Sequence, residues 1–190
     1  MAKLAPGFTT SRGPEREDGD LLDRFLLGDL TAMDDLVERY QLPVYRLAYR
    51  MTRNRADAED ITQEVFVRAY RALASFRRAS SLKTWLFRVA INCALTHQRG
   101  TPGPPEPAPH DAVPPEACAL LEQRELHARL AQGIAQLPPV QRATVILRVV
   151  EGLSLKEIGE VVGSPIGTVK ANYHHAVMRL RRLLREPSLR

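Results

Sequence analysis

Between Thr101 and Pro115 the chain carries seven of its 14 prolines. Proline has no amide hydrogen and its ring collides with the preceding helical turn, so no regular helix crosses such a stretch. The segment predicts an extended, partly stiff tether that divides the 190 residues in two. The expected organisation is a disordered arm over 1–19, a first domain over 20–99, a Pro-rich linker over 100–115 and a second domain over 116–190. Each domain is small enough to bury only a modest core. There is no internal repeat.

Both domains read as helix. Apolar residues never alternate with polar ones long enough to argue for strands. Ile61, Val65, Ala69 and Leu73 keep a four-residue spacing, and Leu82, Leu86, Val89 and Cys93 repeat it at threes and fours, with Ser81 placed to cap that second helix. Leu21–Leu27 and Met33–Met51 add two further amphipathic stretches. The economical picture is all-α: four helices around one core, then a second helical domain.

The net charge of +5 favours an acidic partner, but its distribution says more. Asp57, Glu59, Asp60 and Glu64 form an acidic cluster without an intervening base. From Val65 through Pro105 there is then no acid, while Arg68, Arg71, Arg77, Arg78, Lys83, Arg88 and Arg99 fall there. So abrupt a change of sign fits two partner surfaces on one domain, or a solvated helix whose first-turn acids suit its dipole. The two cysteines, Cys93 and Cys118, lack ligand or disulfide spacing, which fits a reducing cytoplasm. Cys93 reads as a buried thiol. No apolar run reaches the ~20 residues that span a bilayer. There is no phosphate-cradling glycine loop and no triad or metal-ligand spacing, so neither catalytic residues, a metal nor a cofactor is expected.

The second domain holds the sharpest local signal. Ser154-Leu-Lys-Glu157 fits a capping box. Leu155, Ile158 and Val162 then mark a short buried face, and Gly163 ends the helix where a left-handed residue is needed. Gly159 leaves room for a second helix to cross closely. Ser164 and Pro165 predict that helix as its cap and first position, with Ile166, Val169, Tyr173, Val177 and Leu180 as its apolar stripe. This is a helix-turn-helix, whose second helix enters the major groove. Thr168, Lys170, Ala171, Asn172, His174, His175 and Arg179 lie off the stripe and suit base-edge and phosphate contacts. Arg181, Arg182 and Arg185 could hold phosphates. A plain helical hairpin with a solvated basic face is the bland alternative. His174 and His175 are neighbours pointing in different directions, so they read as polar contacts rather than ligands.

Recognition comes from both domains together. Asp57-Ala-Glu-Asp-Ile-Thr-Gln-Glu64, then Phe76, then Ser80-Ser-Leu-Lys-Thr-Trp-Leu-Phe87 with Asn92 beyond, resemble region two of bacterial sigma factors. Gln136-Leu-Pro-Pro-Val-Gln-Arg142, Glu151-Gly-Leu-Ser154 and Gly167-Thr-Val-Lys170 resemble their region four. With no third region between, the pattern is that of the extracytoplasmic-function group. It departs at Ile91 and Thr96, where a basic and an acidic residue are usual.

The resemblance implies roles. Asp57, Asp60, Gln63 and Glu64 match positions that dock on the clamp helices of core RNA polymerase. Phe76 through Asn92 match the segment that opens and reads the minus-ten element; the candidates there are Phe76, Arg77, Arg78, Ser80, Ser81, Lys83, Thr84, Trp85, Arg88 and Asn92. Their basic and aromatic side chains suit melted DNA, although Trp85 fits a core position better than a stacking platform. The helix opening at Ser164 and Pro165, with its outward residues, matches the reader of the minus-thirty-five element, and region four also rests on the polymerase flap. An anti-sigma factor, often membrane-anchored, is the further implied partner. The linker, whose charges are Glu106 and Asp111, would occupy the channel near the polymerase active site. The expected function is promoter selection and DNA melting in the cytoplasm without a small-molecule substrate. The alternative, a stand-alone helix-turn-helix regulator, leaves the acidic cluster and Phe76–Asn92 idle.

Overall fold

The computed structural model describes residues 14–98 and 118–185. The linker and its Glu106 and Asp111 lie outside these residues. Among the described residues every regular element is helical: α1 (Pro14–Leu26), α2 (Thr31–Thr52), α3 (Arg55–Ala72), α4 (Leu82–His97), α5 (Cys118–Ala135), α6 (Pro139–Val145), α7 (Leu155–Val162) and α8 (Ile166–Arg185). A 3₁₀ turn, Leu73–Ser75, follows α3, and a π-helical turn, Ile146–Val150, continues α6.

Helices α1 to α4 form the first domain. Ile61, Val65, Ala69 and Leu73 are all buried, as are Leu82, Leu86 and Cys93; Val89 is half-buried. Burial pushes the Cys93 thiol above its ordinary pKa. Ser81 caps α4 as expected, accepting from the Thr84 amide at 3.1 Å. The expected arm, however, ends early, because α1 starts at Pro14. Its early turns are held by polar contacts that no apolar periodicity announces. Asp18, 7% exposed, accepts the Tyr40 hydroxyl at 2.6 Å, while Arg39 pairs with Glu17 at 2.9 Å and with Asp18 at 3.4 Å. Burial and that carboxylate together raise the Tyr40 pKa.

In the second domain the capping box is complete: Ser154 accepts from the Glu157 amide at 3.2 Å and donates its own amide to the Glu157 carboxylate at 2.8 Å. Gly163 adopts φ +65°. At Gly159 a Cβ would stand 2.8 Å from the Ser164 carbonyl oxygen and 3.8 Å from Val169, so the tight crossing is real. Two details of α8 are corrected. The Pro165 carbonyl accepts the Val169 amide at 3.1 Å while the helix begins at Ile166, so Pro165 is the half-in residue and Ser164 lies one place outside. Ile166 is half-exposed rather than part of the stripe, because the first turn projects into the open space around Gly167. Val169, Ala176 and Leu180 form the buried face instead, and in α7 Val161 is buried beside Ile158.

The two domains pack together, α7 against α4 and α6 against α2 and α4, under one continuous apolar cluster that runs from Leu22 to Val169. A smaller cluster, Leu137, Val145, Ala176 and Leu180, belongs to the second domain alone. Polar contacts frame the joint. Glu151 pairs with Arg50 at 3.3 Å and with Lys83 at 3.4 Å. The Met51 carbonyl accepts from Gln98 at 2.6 Å and from the half-buried Arg142 guanidinium, which also donates to Ala135 and Leu137.

Replacing Ser154 with alanine should remove about 1 kcal/mol of stability, measured by urea unfolding at pH 7. The Glu157 carboxyl sits below its ordinary 4.5 because Ser154 donates to it. Its share of that stability is therefore fully present above 4.5 and lost as pH falls through the lower folded value. The gap between wild type and S154A should narrow in acid.

Candidate nucleic-acid interface

Helix α3 presents Asp60, Gln63 and Glu64 to solvent. They lie within about one helical turn of each other, which puts them on one ridge. Glu64 bonds Arg68 four residues on at 2.6 Å. Asp57, one turn earlier on the same side of α3, is less exposed. It faces the end of α4, where His97 Nε2 lies 3.1 Å from its carboxylate, and its side chain is 19% exposed. Beside the ridge a cleft of about 510 Å³ opens between α2 and α3, lined by Gln41, Leu42, Tyr45, Glu59, Thr62 and Gln63. Leu42 and Tyr45 went unnoticed in the sequence because both fit the general apolar pattern of α2.

The turn after α3 leads into the basic loop. Phe76 and Trp85 are both half-buried against the core, their rings 5.3 Å apart. Arg77 and Arg78 are exposed. Arg78 adopts a left-handed φ of +53°, uncommon for a side chain with a Cβ, and its guanidinium pairs with Asp23 of α1. Strain of this kind concentrates at sites that hold a loop in one shape. The loop walls a cavity of about 300 Å³ lined by Asp18, Leu22, Phe76, Arg78, Ser80 and Ser81.

Thr84 does not point to a ligand. It is 4% exposed, and its hydroxyl meets that of Ser81 at 2.8 Å, so it completes the start of α4. Farther along, Arg88 and Asn92 are exposed. Lys83 sits over the Phe87 ring at 5.1 Å and reaches Glu151 of the second domain. It is the one minus-ten candidate on α4 that the other domain touches through a described ion pair.

On α8 most of the outward set is open to solvent. Pro165, Thr168, Lys170, Ala171, His174, His175 and Arg179 are exposed, and Asn172 and Ser164 are half-buried. Arg181 and Arg182 extend the basic run, while the side chain of Arg185 lies outside the described ones. The rings of His174 and His175 stand 6.1 Å apart at a steep angle. Among the described residues no group of three or more His, Cys, Asp or Glu is placed to hold a metal ion.

The description of sigma-70 region 2 matches residues 36–101 and that of sigma-70 region 4 matches 127–180. RNA polymerase sigma-H factor of Pseudomonas aeruginosa is 36% identical over 93% of this chain and 97% of its own length. The chain belongs to the sigma-70 family. ECF sigma factor SigW of Bacillus subtilis is also 36% identical, over 84% of this sigma factor and 92% of its own length, which puts the chain in the extracytoplasmic-function group. A solved structure of the sigma factor RpoE with the anti-sigma factor NepR from Bartonella quintana superposes with a TM-score of 0.64, covering 80% of this chain and 95% of that one. At 23% identity that likeness speaks to the fold.

Lys170→Ala should weaken binding to all minus-thirty-five duplexes alike and lower the salt slope of log K by about 1, as removal of one phosphate contact does. A titration of the polymerase-bound sigma factor across salt concentrations checks it.

Proposed function

We propose that this sigma factor joins core RNA polymerase through the α3 ridge, holds it on two promoter elements and opens the upstream edge of the bubble. The observation that carries the reading is the separation of surfaces within one small domain: exposed acids on α3, then exposed bases in the loop after it. Asp60, Gln63 and Glu64 meet the polymerase clamp helices, with Leu42 and Tyr45 adding apolar contact across the adjoining cleft. Asp57, one turn earlier on the same side, adds a carboxylate held at the end of α4 by His97.

The loop from Phe76 to Ser81 takes the minus-ten strand. Arg77 and Arg78 neutralise phosphates, and the cavity bounded by Phe76 and Ser80 has room for an unstacked base. Arg88 and Asn92 continue this surface. Helix α8 reads the minus-thirty-five duplex through its outward residues, with Arg181 and Arg182 on phosphates, and the same domain rests on the polymerase flap. The Pro-rich linker raises the effective concentration of each domain for its own element. Polymerase supplies the chemistry, and this chain contributes binding rather than catalytic groups. A duplex-only regulator would leave the α3 ridge and the basic loop without a purpose.

Control by an anti-sigma factor belongs to the same reading. The structural relative named above was solved in such a complex, and the exposed apolar residues Leu42, Val67 and Tyr70 on α2 and α3 offer a partner something to cover. No helix among the described residues is long and apolar enough to cross a membrane. We place the protein in the cytoplasm with the polymerase, held at the membrane face only when its antagonist is anchored there.

Transcription in vitro with bacterial core polymerase on a genomic promoter library tests the assignment. Start sites should appear that depend on this chain, and Asp60→Ala with Gln63→Ala should reduce them at least about tenfold, equivalent to roughly 1.4 kcal/mol of lost polymerase affinity. Duplex binding that needs no polymerase, with no new start sites, would sink it.

A further inference from the structure

Glycine weakens the middle of a helix, so a glycine standing there calls for a reason. Gly19 lies in the middle of α1, in ordinary helical backbone without a positive φ. No neighbour crowds it either. A Cβ built at Gly19 would meet nothing within 4 Å, whereas one at Gly159 would stand 2.8 Å from a carbonyl oxygen. What Gly19 borders is open space. It lines the cavity of about 300 Å³ under the basic loop, with Asp18 and Leu22 beside it on α1 and Phe76 and Ser80 across from them. Gly19 and Asp23 are four residues apart and share one ridge of the helix. Asp23 holds Arg78, the left-handed residue of the loop, which lines the same cavity. One ridge of α1 therefore leaves the space open and ties down its opposite wall.

We propose that Gly19 keeps this cavity open for one unstacked base of the minus-ten strand, so that α1 forms a wall of the base-reading pocket. The proposal rests on the reading of the basic loop as the minus-ten surface. It adds to that surface a helix that lies before the region 2 match, which begins at residue 36. The lining favours a neutral ring over a phosphate. Asp18 sets a buried carboxylate at the cavity, and its Oδ1 accepts no hydrogen bond, with Arg39 Nε 3.4 Å away. The charge of Arg78 at the rim is already shared with Asp23. A phosphate entering there would meet the Asp18 carboxylate at close range, where like charges repel strongly. A base would meet the Phe76 ring and the Leu22 side chain, apolar surfaces that suit its faces, with Ser80 beside its edge. A side chain at position 19 would take the volume the base needs, and would do so without touching the rest of the protein.

Gly19→Ala and Gly19→Leu test this in holoenzyme reconstituted with bacterial core polymerase. Both residues form helix better than glycine, so the melting temperature of the free chain should rise by about 2–4 °C with alanine. With leucine it should stay at or above that of wild type. Affinity for core polymerase should not change, because Gly19 lies off the α3 ridge. The probe is single-stranded non-template DNA across the minus-ten element, intact or with an abasic site at one position at a time. On the intact strand G19L should bind about tenfold more weakly than wild type and G19A about threefold, within what one stacked base contributes. At the position whose base enters the pocket, the abasic strand should bind wild type and G19L alike; at every other position the gap should persist. Equal binding of the intact strand by wild type and G19L would overturn the proposal. So would a gap that survives at all abasic positions, since the substitution would then act on the loop's fold and not on a base. Melting temperatures below wild type for both variants would show that the space is not open, and would overturn it too. Wild-type holoenzyme that binds no minus-ten strand sinks the functional reading itself, whereas normal wild-type binding with an unaffected G19L removes only the α1 wall.

Discussion

Everything in this molecule leans on α4 having two apolar sides. Leu82, Leu86 and Cys93 lie along one side and Phe87 and Ile91 along another, all of them buried, and α2, α3 and α7 pack against the helix. A four-helix unit of this size has little interior to spare. Sharing one helix between two cores gives each of them more buried surface than it could hold alone. It also explains why the apolar cluster is continuous across the joint while only a minor cluster belongs to the second domain by itself. The polar rim of Arg50, Lys83 and Glu151 adds direction to a contact whose strength comes from burial.

The charged surfaces follow from local helix physics before any partner is considered. Asp57 stands in the first turn of α3, where the amide ends favour an acid, and its amide is capped by Asn54 at 3.1 Å. The ridge of Asp60, Gln63 and Glu64 is one turn farther on and makes no comparable demand on the fold. It stays exposed along the helix. The loop beyond is shaped by a left-handed arginine tied to α1, so the first helix helps to hold the basic loop although the region 2 match begins only at residue 36.

Features with a local code were legible in the sequence. The capping box, the left-handed Gly163, the close approach at Gly159 and the Ser81 cap each depend on a few neighbouring residues, and each is where the spacing put it. The two-domain, all-helical plan followed from the prolines and the periodicity. What escaped depends on distant partners. Asp18 finds Tyr40 across 22 residues, and Arg142 reaches Met51 across 91, neither with any signature in its own neighbourhood. Thr84 was misread for a related reason: a polar residue in a basic stretch looks available until the geometry of its neighbouring cap turns it inward. Ile91 departs from the family pattern in sequence, and the structure buries it fully.

The π-helical turn at Ile146–Val150 sets the aim of Glu151. There the Glu151 amide bonds back to the Ile146 carbonyl at 3.2 Å, five residues earlier rather than four. A turn of this kind holds one residue more than an α-helix would, and such insertions often mark functional places. Deleting a single residue from 146–150 would let α6 continue as ordinary helix and swing Glu151 by about 100° around its axis, away from both cations. The reach of Glu151 to Arg50 and Lys83 is thus written in the length of the chain as well as in its side chains, and an evolutionary slip of one codon could undo it.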